Sequence, residues 1–314
     1  MLNRRHIRIK VMQALYASQG SESDDIRVNE KFLLQSLNSM YDLYIAQLSL
    51  LLELQKKAED HLEKSQKKHL ATKDEKNPNL KFVNNEVLQL LKNNEALDDV
   101  LDNQKVNLWY LDFEYVDILF KALLESDLYK EYMSTKTSTF HEDKLFVIDI
   151  FTEIIAPNDK LYDFFEDKRL TWLDDLPVVN TTILKLLKKV KPKSTGKLFT
   201  PELFKDLEDR DFGVELLKKT ILNQALFMEA IFNKTKNWDA DRITLIDRVL
   251  MQMAICEFNK FPSIPVKVTI NEYLEIAKEY STPKSSNFIN GILDKIVKEY
   301  KAEDKLNKIG RGLL

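Results

Sequence analysis

The sequence predicts an all-α protein, on three observations. Six glycines and eight prolines in 314 residues are too few for the turns of a strand-rich fold or for a glycine-lined nucleotide site. Apolar residues recur at three- and four-residue intervals along most of the chain, the spacing of one helix face. Hydrophobic residues make up 44% of the chain, enough for a substantial core in one large domain or two ordinary ones.

A first helix is expected over 4–18, where Ile7, Val11, Ala14 and Leu15 fall on one stripe. Arg4, Arg5 and Arg8 lie off that stripe, where cations oppose the helix macrodipole at roughly 0.3–1 kcal/mol each. A nearby anion would offset that cost, and phosphate is the usual one. A polar loop at 20–25 leads to one very long helix over 29–70, with Leu33, Leu37, Met40, Tyr44, Leu48 and Leu51 in step and a highly charged far end. The segment 71–80 breaks it, with Pro78 as the stop. Shorter helices follow over 83–91 and 96–101. Residues 108–132 read as one amphipathic helix whose Trp109, Tyr110, Phe113, Tyr115 and Phe120 are expected in the core.

From Asp143 onward a faint repeat runs at an offset of 66 residues, pairing Asp143 with Asp209, Phe146 with Phe212, Trp172 with Trp238 and Leu184 with Leu250. The stretch 191–200 reads as a linker, and Pro201 is expected to open the next helix. Helices then follow over 212–233 and 241–258, the second capped by Asp239 or Asp241. The last two are expected over 266–280, behind Pro265, and over 283–300, with Thr282 as cap and Pro283 in the first turn.

Net charge is −3, but it is unevenly placed. Residues 1–21 hold four bases and no acid, and residues 281–314 hold seven bases against four acids, so the acidity lies in the middle. Such asymmetry points to a polyanion site at the ends. One cysteine, Cys256, in the apolar run MQMAICEF, reads as a core thiol in a reducing, cytoplasmic compartment. No apolar run reaches membrane-spanning length. The sequence Ser194–Lys197 (STGK) lacks the first glycine and the final hydroxyl of a phosphate loop. His6, His61, His69 and His141 lack metal-ligand spacing. No catalytic constellation, cofactor or metal site is expected, and the chain does not read as an enzyme.

Four stretches carry a family resemblance. RRHIRIKVMQALYAS at 4–18 resembles the arginine-rich opening helix of the NusB family. WDADRITLIDRVLMQMAICEF, IPVKVTINEYLEIAKEY and SSNFINGILDKI resemble three successive segments of its C-terminal part, the last with Asn287 where a lysine is usual. The resemblance implies NusB-like helical bundles with additional long helices inserted. The expected boundaries are 1–20 for the basic helix, 21–200 for the insertion and 201–314 for the C-terminal NusB-like domain. It also implies a transcription antitermination factor for ribosomal RNA operons. Such a factor binds a boxA-like single-stranded RNA with NusE, a small-subunit ribosomal protein, in an antitermination complex on RNA polymerase.

On that reading Tyr16 and Phe288 would stack on bases, while Arg4, Arg5, Arg8, Lys284 and the Ser285 hydroxyl would surround phosphates. Asn290 and Gly291 would serve close helix packing, and Asn271 and Glu272 would be structural or partner-facing. A NusB-like protein-interaction scaffold without RNA binding is the alternative, favoured by the overall acidity and by Asn287.

Overall fold

A computed structural model describes residues 1–19, 25–104, 108–194, 196–235 and 243–313. In chain order the helices are α1 (Arg4–Ser18), α2 (Ile26–Gln66), α3 (Lys73–Lys76), α4 (Glu86–Lys92), α5 (Glu95–Gln104), α6 (Leu108–Leu111), α7 (Phe113–Glu125) and α8 (Asp127–Tyr132). They continue as α9 (Phe140–Asp149, prolonged by a π turn at Ile150–Ile155), α10 (Asp159–Lys168), α11 (Leu176–Lys189) and α12 (Leu207–Leu222). The last four are α13 (Gln224–Lys234), α14 (Leu245–Lys260), α15 (Val266–Tyr280) and α16 (Ser285–Ala302). The fold is all-α, with no strand among the described residues. None of the described helices is long and apolar enough to cross a membrane.

The chain divides into two compact units, one of Met1–Leu37 with Leu203–Leu314 and one of Asn38–Glu202. The division falls inside α2, not at residue 21. The first turns of α2 pack with the C-terminal helices, where Glu30 pairs with Lys218 of α12 at 2.8 Å.

In the first unit α1 packs on α12 and α14, and α15 and α16 pack on α14 and on each other. Gly213 marks the closest approach of α1 to α12: a Cβ there would lie 2.7 Å from Ile7 Cγ2. Asn3 caps α1 by accepting from the His6 amide at 3.0 Å, while His6 Nδ1 accepts from the Asn3 amide. Cys256 is buried, and burial pushes its thiol up to about 12.

The second unit is centred on buried aromatics held by their polar edges. Trp109 Nε1 donates to the Ala46 carbonyl at 2.9 Å, Trp172 Nε1 to that of Ser39 at 2.8 Å, and the Tyr44 hydroxyl to that of Phe199 at 2.8 Å. Asp143 is buried, accepting from the Tyr132 hydroxyl at 2.6 Å and from the Glu86 amide at the start of α4. An offset of 66 residues carries α9 with its π turn onto α12, α10 onto α13 and α11 onto the first part of α14. Asp143 and Asp209 thereby occupy equivalent first-turn positions, both buried. Trp238 lies outside the described residues.

Several expected elements are corrected. The single helix over 108–132 is three helices, interrupted at Asp112 and Ser126. Ser126 ends α7 and caps α8 by accepting from the Tyr129 amide. Its aromatics are not all core, since Tyr110 is 79% and Phe113 62% exposed, whereas Trp109 and Phe120 are buried. The helix over 212–233 is two, separated at Asn223. Pro201 opens no helix: α12 begins at Leu207 behind Asp206, which caps it by accepting from the Asp209 amide. Thr244 caps α14, while the expected caps Asp239 and Asp241 lie outside the described residues. The last helix starts at Ser285, not Pro283, because Pro283 and Lys284 form a turn, closed by the Ser285 amide on the Thr282 carbonyl, that leads into it.

Candidate nucleic-acid interface

The arginine-rich helix meets carboxylates at every step. Arg4 donates to Asp209 at 2.8 Å and to Glu208 at 2.8 Å, both on α12. Arg5 makes a two-pronged pair with Glu272 of α15, at 2.9 and 2.8 Å. Arg8 makes a second fork with Glu257 of α14, at 2.6 and 3.0 Å, and is only 3% exposed. Glu257 also accepts from the Tyr273 hydroxyl at 2.7 Å and from Thr269 at 3.1 Å, so a fully buried carboxylate is saturated with donors. The guanidinium groups of Arg4 and Arg8 each lie 5.2 Å from the centre of the Phe212 ring, adding cation–π attraction.

Burial opposes the charge on Arg8, but Glu257 outweighs it and raises the arginine pKa above its ordinary value. The hydrogen bonds from Arg5 hold Glu272 below the usual carboxylate range, against the opposing effect of burial. Burial raises the Tyr273 phenol well above its ordinary pKa, and the neighbouring Glu257 adds to that. The anion expected beside the first turn of α1 is thus supplied by the protein itself. Arg8 joins α1 to α14 as an interior clamp, and the expectation that it meets phosphate is corrected by its burial.

The start of α16 carries the second group of expected residues. Ser285 is buried, and its hydroxyl donates to Asp247 Oδ2 of α14 at 2.9 Å. Its expected phosphate contact is therefore also corrected. Lys284 and Asn287 are exposed and Phe288 is half-buried. Tyr16, near the end of α1, is 48% exposed. Helices α1 and α16 both pack on α14 and α15, so one two-helix scaffold carries both faces.

Gly291 differs from its expected role. It is exposed, and a Cβ there would meet nothing within 4 Å. No described helix therefore requires it, although glycine costs a helix interior about 1 kcal/mol. Lys284, Phe288, Gly291 and Lys295 follow one another at helical spacing, giving a stripe of cation, aromatic ring, flat gap and cation. Glu257, Glu208 and Asp209 are functional partners of the arginines that the sequence reading missed, the one local signal being the lone carboxylate in MQMAICEF. Glu272, expected as structural or partner-facing, is the partner of Arg5.

After α16 the chain returns to the end of α14. Lys308 Nζ donates to the Glu257 and Phe261 carbonyls, at 3.0 Å each. Burial pushes the Lys308 pKa down to about 8, from an ordinary 10.5. A lysine whose pKa falls on folding leaves the unfolded chain with more bound protons between those values, so its contribution to stability improves as pH rises from 8 to 10.5. Melting wild type and Lys308→Met at pH 7.5 and 9.5 should show the wild type gaining more on the alkaline side. An equal response in both would remove Lys308 from this linkage.

A NusB family model matches residues 179–298, beginning inside α11 and running through most of α16. The transcription antitermination protein NusB of Salinibacter ruber is 42% identical over 112 residues, which is 36% of this chain and 70% of that protein. That of Chloroherpeton thalassium is 40% identical over 129 residues, 41% of this chain and 61% of that protein. That of Finegoldia magna is 43% identical over 89 residues, 27% of this chain and 65% of that protein. No solved structure matches the chain. With a relative 42% identical across 70% of its length, and the matched segments folded as the α12–α16 scaffold around α1, the chain belongs to the NusB family.

Proposed function

We propose that this protein is a transcription antitermination factor acting on ribosomal RNA operons. It binds a boxA-like single-stranded RNA together with NusE and joins the RNA polymerase antitermination complex in the cytoplasm, without enzymatic activity. The observation that carries the reading is the α16 stripe of Lys284, Phe288, Gly291 and Lys295, which lies within the family match and whose glycine no described neighbour requires. Single-stranded RNA is bound by stacking on aromatic rings and by cations along its backbone. On this reading Tyr16 and Phe288 stack, Lys284 and the exposed edges of Arg4 and Arg5 meet phosphates, and Gly291 lets the strand come close. Residues 38–178, the larger part of the second unit, lie outside the family match.

A second reading is favoured by the pairing of all three N-terminal arginines with carboxylates. It makes the protein a NusB-like scaffold that binds proteins and not RNA. Fluorescence anisotropy of a labelled boxA-like RNA, alone and with NusE over a salt series, separates the two. RNA binding tightened by NusE and weakened by salt supports the first; NusE capture without RNA binding supports the second. Gly291→Ala sharpens the test: it should stabilise the fold by roughly 0.5–1 kcal/mol while weakening RNA binding. A variant that binds RNA as well as wild type would take the stripe out of the interface.

A further inference from the structure

The segment following α16 is fastened to the Pro262 turn by features that admit few substitutions. The Ile309 amide donates to the Pro262 carbonyl at 3.1 Å. Gly310 has φ +52°, and Gly312 is buried where a Cβ would lie 1.9 Å from the Pro262 oxygen. Lys308 donates to the Glu257 and Phe261 carbonyls at the end of α14. This strap sets Arg311 in the wall of a cavity of about 700 Å³, beside Arg4, Arg5, His6, Arg8 and Glu272. Ile264, Pro265 and Val268 give the cavity an apolar floor.

The charges around this cavity are unequal in one respect. Arg4 is met by Glu208 and Asp209, Arg5 by Glu272 and Arg8 by Glu257. Among the described residues Arg311 has no ion-pair partner, and its side chain is exposed. We propose that Arg311 is a phosphate contact for single-stranded RNA, with one nucleotide seated in the cavity and its base or sugar on the apolar floor. The inference rests on the RNA-binding reading above and adds a site outside the family match, which ends at residue 298.

The cavity volume lies in the range that holds a small ligand. The cavity also lies at the opposite end of α1 from exposed Tyr16. Tyr16 lies eleven steps along the helix from Arg5, about 16 Å at roughly 1.5 Å per residue, a span that a few nucleotides can follow. A polymer with a charge on every unit suits that path better than an isolated carboxylate does.

The test uses the full chain and a labelled single-stranded RNA oligonucleotide across a salt series. Arg311→Gln removes only an exposed charge and should weaken binding by roughly three- to ten-fold, with the log–log salt slope shallower by about 0.7. Gly312→Ala, which evicts the strap, should lose as much, and adding it to Arg311→Gln should cost nothing further. Wild-type RNA binding with an unchanged slope in Arg311→Gln overturns the proposal and leaves the RNA reading standing. Unchanged RNA binding with weakened capture of the protein partner assigns Arg311 to a protein contact and also overturns it. Absence of RNA binding by wild type removes the RNA reading, and Arg311 with it.

Discussion

Glu257→Ala is expected to destabilise the protein by about 3–5 kcal/mol, the cost of stranding a buried charge. The variant leaves the Arg8 guanidinium 3% exposed, with Glu272 at 3.6 Å as its remaining carboxylate, and takes the acceptor from the Tyr273 and Thr269 hydroxyls. Arg8→Ala should cost a similar amount by stranding Glu257. Glu257→Gln, which keeps an oxygen for Tyr273, should cost less. Combining Arg8→Met with Glu257→Leu should recover part of the loss, because an apolar pair carries no desolvation penalty. Urea unfolding of the four variants measures this. An Arg8→Ala protein as stable as wild type would dismiss the clamp. The prediction also governs how RNA data are read: a loss of RNA binding in Arg8→Ala would follow from the loosening of α1 and would not place Arg8 on the RNA.

That clamp shows where the sequence could be read and where it could not. The arginine cluster is visible in fifteen consecutive residues, and α1 follows the expected bounds because its apolar stripe and first cap are local. The partners of the arginines are not local. Asp209 stands 205 residues from Arg4 and Glu257 stands 249 from Arg8, so the neutralisation of the basic helix is a tertiary fact. Helix breaks at Asp112, Ser126 and Asn223 escaped for a different reason. A single residue interrupts the helix at each place, with a side-chain cap only at Ser126, while the apolar period continues through it, and periodicity alone cannot register the break. Helix α15 has the expected bounds, since Pro265 precedes it and the chain is already extended at Ser281. Gly291 was legible as a costly helix residue, but only the structure shows that the space beside it is open.

Asp247→Ala is expected to cost about 3 kcal/mol, the upper end for hydrogen bonds to a charged group, and to lower RNA affinity without removing any RNA contact. Asp247 is 3% exposed on α14 and accepts from Ser281 Oγ at 2.6 Å and from Ser285 Oγ at 2.9 Å. Thr282 Oγ1 lies 2.8 Å from Ser285 Oγ, and because Ser285 spends its proton on Asp247, the threonine is the donor. These hydroxyls tie the α15–α16 turn to α14, and that turn fixes where Lys284 and Phe288 begin the exposed stripe. The first turn of α16 has neither an acidic residue nor a side-chain cap, so little within the helix itself holds this end in place. Without Asp247 the Ser281 and Ser285 hydroxyls lose the carboxylate they share, and the first turn of α16 should fray. Asp247→Asn retains one acceptor oxygen and should cost less than half as much. Thermal melts paired with RNA anisotropy below the melting range provide the check. If Asp247→Ala is destabilised while its RNA affinity is unchanged, the order of the α16 start is irrelevant to binding, and Tyr16 with the α1 end becomes the face to test.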